Sequence, residues 1–118
     1  MVVADITFLE DGPARGEVIL LAHGAGAPMD SPFMAELAAR LGDERLRVLR
    51  FEFPYMQRRR AGAGKPPPDR EPVLLDAWRA AIAEAGGGAH VVLAGKSMGG
   101  RMASLVADDE AVRGAVCF

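Results

Sequence analysis

The chain has 118 residues, half of them hydrophobic, with 14 basic against 16 acidic side chains and a net charge of −2. That length suits one domain, the near-balanced charge offers no basic face for nucleic acid, and the single cysteine, Cys117, excludes an internal disulfide. Met1 to Asp5 lack the start of a secretory leader and no apolar run approaches the roughly 20 residues of a membrane span, so a soluble cytoplasmic protein is expected.

In chain order, Ile6 to Leu9 predicts a short strand, Asp11-Gly12-Pro13 a turn, and Val18 to Ala22 a wholly apolar strand. The loop His23-Gly24-Ala25-Gly26-Ala27-Pro28 follows. Ser31 before Pro32 is an N-cap with a first-position proline; Phe33, Leu37 and Leu41 mark the buried face of that helix, and Gly42 ends it. Leu46 to Phe53 predicts a strand closed by Pro54. Residues 55 to 70, rich in Arg, Gly and Pro, predict an irregular surface loop. A second helix starts near Pro72, buries Leu74, Leu75, Trp78, Ile82 and Ala85, and stops at Gly86-Gly87-Gly88. Val91 to Ala94 is another strand, Met98, Met102, Leu105 and Val106 mark a third helix, and Val112 to Phe118 a last strand.

Apolar strands alternating with amphipathic helices predict a doubly wound α/β fold whose mostly parallel sheet is covered on both faces. Sites in such sheets lie at the carboxyl ends of strands, beside a switch in strand order. The His23–Pro28 loop and the segment Gly95-Lys96-Ser97-Met98-Gly99 each leave such an end, so neighbouring strands would bring them face to face. The last strand, Ala115-Val116-Cys117-Phe118, has no following helix to cover it. The expectation is one domain truncated before its last strands, with self-association through the exposed Val116–Phe118 edge.

Gly95-Lys96-Ser97-Met98-Gly99 is a G-x-S-x-G pattern between a strand and a helix, the setting of a nucleophile elbow. Gly95 and Gly99 suit it because strand and helix backbones approach too closely there for a Cβ. A serine so placed attacks an ester or similar carbonyl once a base takes its proton; the plainer role is to cap the helix. The oxyanion formed on attack needs preorganised donors. Met98 N–H is the first candidate, and the second comes from the His23–Gly26 loop, through Ala25 or else Gly26. The plainer reading of that loop is a turn eased by Gly24 and Gly26.

His23 precedes this loop and is expected to prop it, while His90 opens the strand at the end opposite Ser97; neither is expected to act as base. Asp108, Asp109 and Glu110 read as a solvated helix end. Gly95-Lys96-Ser97 imitates a phosphate-binding loop but lacks its earlier glycine, which is His90 here. Gly24-x-Gly26 with Glu52 as ribose-binding acid is a partial dinucleotide fingerprint, broken by Met29 at the third glycine position. Arg58-Arg59-Arg60 and Lys65 read as solvated surface, with attraction of an anionic substrate as the sharper alternative. Cys117 and Trp78 read as core residues. No His/Cys/Asp/Glu cluster has metal-ligand spacing, and the chemistry calls for no cofactor.

Leu21-Ala22-His23-Gly24-Ala25-Gly26, Arg50-Phe51-Glu52-Phe53-Pro54-Tyr55-Met56, Lys65-Pro66-Pro67-Pro68-Asp69 and Gly95-Lys96-Ser97-Met98-Gly99-Gly100-Arg101 occur in this order. From about Val18 onward the chain resembles the dienelactone-hydrolase-related branch of the α/β-hydrolases, a group that includes testis-expressed and chromatin-complex relatives. The resemblance implies Ser97 as nucleophile, oxyanion contacts from the loop after His23-Gly24, and a triad acid and histidine later than residue 118. The expected function is hydrolysis of a small-molecule ester or related acyl substrate. A hydrolase-like scaffold for protein binding is the alternative, and a dinucleotide-binding domain the weaker one.

Overall fold

The computed structural model describes residues 6–118; Met1–Asp5, expected to lack the start of a secretory leader, lie outside them. The chain forms β1 (Leu9–Asp11), β2 (Val18–Ala22), α1 (Pro32–Asp43), β3 (Arg47–Phe51), α2 (Pro54–Arg60), α3 (Glu71–Glu84), β4 (Val91–Gly95), α4 (Met98–Val106) and β5 (Gly114–Cys117). The strands make one sheet in the order β1-β3-β2-β4-β5. Every pairing is parallel except that of β1 with β3.

The strand period of two sorts the core into two layers. Leu20 and Ala22 of β2 face a cluster with Phe51, Trp78, Leu93 and Met98, beneath α3 and α4. Leu21, with Ile19 packed alongside, faces the opposite way onto Met34 and Ala38 of α1. Helices on both faces follow from the expected doubly wound pattern, and β2 and β4 are direct neighbours in register from Val18↔Val91 to Ala22↔Gly95.

Several local expectations shift. The first strand is Leu9–Asp11 rather than Ile6–Leu9, because these residues can pair with β3 and place Glu10 beside Arg47 and Asp11 beside Arg50. The start of the predicted 55–70 loop is instead helix α2. Pro54 occupies its first turn, the Asp69 carboxylate accepts the Tyr55 N–H at 2.8 Å, and Arg58, Arg59 and Arg60 meet the negative end of the helix dipole. On α1 the buried pair is Met34 and Ala38, and Phe33 is exposed against Phe118. On α4 Leu105 is exposed, while Gly99, Gly100 and Ala103 carry the contact surface. Such small residues let that helix lie close on the sheet. Cys117 is exposed rather than in the core, since it lies on the sheet's outermost strand, paired on its β4 side.

Candidate functional site

The strand order reverses between β2 and β4, where one connection runs toward β3 and the other toward β5. Such a switch opens a crevice at the carboxyl ends of the two strands. Here it is a cavity of about 270 Å³ lined by the Gly24–Ala27 loop, Ser31, Met34, Lys96 and Ser97. The two segments singled out in the sequence therefore share one cavity.

Ser97 sits between the end of β4 and the start of α4 with φ 50° and ψ −112°. An L-residue in such a region is strained by about 1–3 kcal/mol and persists only when its surroundings hold it. They do so through the backbone. Ser97 N–H donates to Phe118 O at 2.6 Å, Lys96 N–H to Ala22 O at 3.1 Å, and Phe118 N–H to Gly95 O at 3.1 Å. The turn is thus tied to β2 on one side and to the segment after β5 on the other. A Cβ on Gly95 would run into the backbone of Gly99 and Gly100, and one on Gly99 into His23 O and Ala22. Trp78, fully buried, adds an indole N–H bond to Gly99 O at 3.0 Å.

Ser97 is exposed, and no group among the described residues hydrogen-bonds its Oγ. Met98 is buried as the first residue of α4, so its N–H has no intrahelical acceptor and lies at the positive end of the helix dipole. Ala25 and Gly26 are exposed on the facing loop. Lys96 is exposed too, with its Nζ 4.9 Å from the Phe33 ring centroid.

His23 is fully buried beneath the loop. Its Nε2 accepts the Phe53 N–H at 3.1 Å, which fixes the proton on Nδ1, and Nδ1–H donates to Gly24 O at 2.7 Å. Burial lowers its pKa and keeps the ring neutral. With both nitrogens engaged, this imidazole props the turn. His90 is exposed before β4, a strand's length from Ser97. Asp108 and Asp109 are exposed past the end of α4.

Two supports of the loop are built from residues that carry other readings in the sequence. The buried Tyr55 hydroxyl shares its one proton in a three-centre bond, with Ala25 O at 2.8 Å and Gly24 O at 3.3 Å. Farther along, Met29 N–H donates to Glu52 Oε2 at 3.2 Å while Arg50 Nη1 donates to Met29 O at 3.0 Å. Arg60 then bridges Glu52 and Asp30, at 2.6 and 2.7 Å. The Arg60 hydrogen bond holds the Asp30 carboxyl below the usual range, and the bond to Glu52, then that to Asp30, raises the guanidinium pKa. Hence the arginine run is not a free cationic lure. Arg58 pairs with Asp69 at 3.0 Å, and Arg59 donates to Pro66 O while lying 5.5 Å from the Tyr55 ring centroid. Glu52, the ribose-binding acid of the dinucleotide reading, has both carboxylate oxygens engaged by Arg60.

The fold and this crevice are those of an α/β-hydrolase, and the chain belongs to that family: residues 15–118 match the alpha/beta hydrolase domain. Among solved structures it is similar to the monoacylglycerol lipase of Paleococcus ferrophilus, with 25% identity and a TM-score of 0.68 over 97% of this chain and 42% of that one. It is also similar to Est1E from Butyrivibrio proteoclasticus, with 15% identity and a TM-score of 0.67 over 91% of this chain and 46% of that one. The chain thus spans less than half the length of each. No curated protein matches it. Among the described residues no helix is long and apolar enough to cross a membrane.

Proposed function

We propose that the full-length protein is a serine hydrolase, of the dienelactone-hydrolase-related branch, that cleaves small esters or related acyl compounds through an acyl-enzyme at Ser97. The observation that carries this reading is the strained, exposed Ser97 in a crevice shared with the Gly24–Ala27 loop. A serine is held in that conformation at a cost, and a nucleophile presented clear of the sheet is what the cost supports. The family and the likeness to a monoacylglycerol lipase point the same way.

In this mechanism Ser97 Oγ attacks the acyl carbon as its proton passes to a histidine base. The carbonyl oxygen takes the negative charge and is met by Met98 N–H and by Ala25 N–H, with Gly26 N–H as the alternative donor. Collapse expels the protonated alcohol and leaves the acyl group on Ser97; water then releases it. His23, Gly24, Gly95 and Gly99 shape the site without taking part. No histidine follows Ser97 in the 118 residues, and His23 is committed to its two bonds. The base and its acid partner are therefore assigned to sequence beyond Phe118, in the Ser–acid–His order of this fold.

The test is hydrolysis of a panel of nitrophenyl and thiol esters by the full-length protein. Turnover should begin with a burst and fall by about 10⁴-fold or more in Ser97→Ala. A full-length protein that cleaves no ester would instead favour a hydrolase-like scaffold for protein binding.

A further inference from the structure

The Tyr55 hydroxyl meets two consecutive carbonyls of the loop, those of Gly24 and Ala25. Gly24 O also receives the His23 Nδ1–H. Both carbonyls therefore point down, toward the buried ring layer of His23, Phe53 and Tyr55. The peptide bonds are trans, and in a trans peptide the N–H of the next residue points opposite to the carbonyl. The Ala25 and Gly26 N–H groups thus point away from Tyr55, on the side where the loop is exposed and lines the cavity with Ser97.

We infer that Tyr55 is a positioning residue that sets the orientation of the Ala25 and Gly26 amides as oxyanion donors. This rests on the hydrolase reading above. An amide donor helps catalysis only if it is already aimed where charge develops, because reorienting it during reaction returns the energy gained. A loop of Gly-Ala-Gly has little of its own to hold two peptide planes. His23 and the longer Tyr55 contact hold the first plane, which carries the Ala25 N–H, and Tyr55 alone holds the second, which carries the Gly26 N–H. Asp69 and the buried Phe53 anchor Tyr55 at the start of α2, through the Tyr55 N–H bond and the ring layer. Burial pushes the phenol up to about 12, so it remains a donor across the working pH range. The segment Phe53-Pro54-Tyr55 thereby carries a hydroxyl from the end of β3 to the underside of the loop beside β4.

The experiment compares full-length wild type, Tyr55→Phe and Ser97→Ala. For Tyr55→Phe, kcat should fall about 10- to 100-fold with KM within about twofold, because a misaimed donor costs transition-state stabilisation. Affinity for a trifluoromethyl ketone, which forms a tetrahedral adduct on serine, should fall in parallel, while a product carboxylate should bind as before. Amide NMR of the same variant should show the Ala25 and Gly26 resonances shifted, with the spectrum away from the loop and Tyr55 retained. An active wild type silenced by Ser97→Ala but equalled by Tyr55→Phe would overturn the role of Tyr55 and leave the hydrolase reading intact. If the wild type proves inactive, the hydrolase reading fails, and the role of Tyr55 as oxyanion positioner fails with it. Unchanged Ala25 and Gly26 amides in Tyr55→Phe would overturn the positioning role whatever the activity.

Discussion

Replacing Gly95 by alanine puts a methyl group where the end of β4 meets the start of α4. The added carbon would lie 2.5 Å from Gly99 C and 2.8 Å from Gly100 Cα, with the Gly100 nitrogen closer still. All three are backbone atoms, so no side chain can swing aside. Ordinary contact begins near 3.4 Å, and the helix must retreat by about 1 Å, which separates Met98, Ala103 and Val106 from the sheet. Overpacking of this kind costs about 1–3 kcal/mol, and the upper half of that range is expected here because the displaced element is a whole helix. Gly26→Ala is the matched control: its added carbon meets nothing within 4 Å, and its stability should stay within about 0.5 kcal/mol of wild type. Urea unfolding followed by Trp78 fluorescence reads both. At a slope of roughly 1–3 kcal/mol per molar, Gly95→Ala should lower the midpoint by about 1 M with the slope unchanged. Equal midpoints for Gly95→Ala and Gly26→Ala would refute the close-approach account of the turn.

Other consequences concern the supports of the loop. His23 has a folded pKa below its ordinary 6.5 because of burial, so its neutral form stabilises the fold fully above about pH 6.5, and this is lost as pH falls toward the folded value. Stability should drop by up to about 1.4 kcal/mol per pH unit in that window, and His23→Gln should flatten the dependence seen in denaturant titrations from pH 7 to 5. Asp30 titrates below its ordinary 3.8 and leaves this window untouched. Glu52→Gln removes the charge from a side chain 3% exposed while its partner Arg60 is 45% exposed. A cost of about 1–2 kcal/mol is expected, and a midpoint equal to wild type would show that the clamp on Met29 does not depend on that ion pair.

The parts of the fold that repeat a period were legible in the sequence. Val18–Ala22 and Val91–Ala94 are unbroken apolar runs, and a strand buried on both faces has no other signature. Ser31-Pro32 and Gly86-Gly87-Gly88 marked helix ends through capping and breaking chemistry that acts locally. The supports of the site were not legible, because their partners are far apart in the chain. Arg60 reads as one of three exposed cations until Asp30, 30 residues away, and Glu52 are seen to enclose it. Tyr55 looks like a loop aromatic until its hydroxyl is found under Ala25, 30 residues earlier. Helix α2 was hidden for the same reason, since the carboxylate that accepts the Tyr55 N–H in its first turn is Asp69, 14 residues downstream. Cys117 reads as a core residue from an apolar pattern that carries no position in the sheet; within these 118 residues it lies exposed on β5, which pairs with β4.

If Ser97 carries the attacking oxygen, a covalent label will show it without knowledge of the substrate. The full-length protein should react with a fluorophosphonate at one site, and peptide mapping should place the adduct on the fragment containing Gly95-Lys96-Ser97-Met98-Gly99, with Ser97→Ala unlabelled. An adduct on any other residue, or equal labelling of wild type and Ser97→Ala, would contradict the assignment of Ser97 as nucleophile.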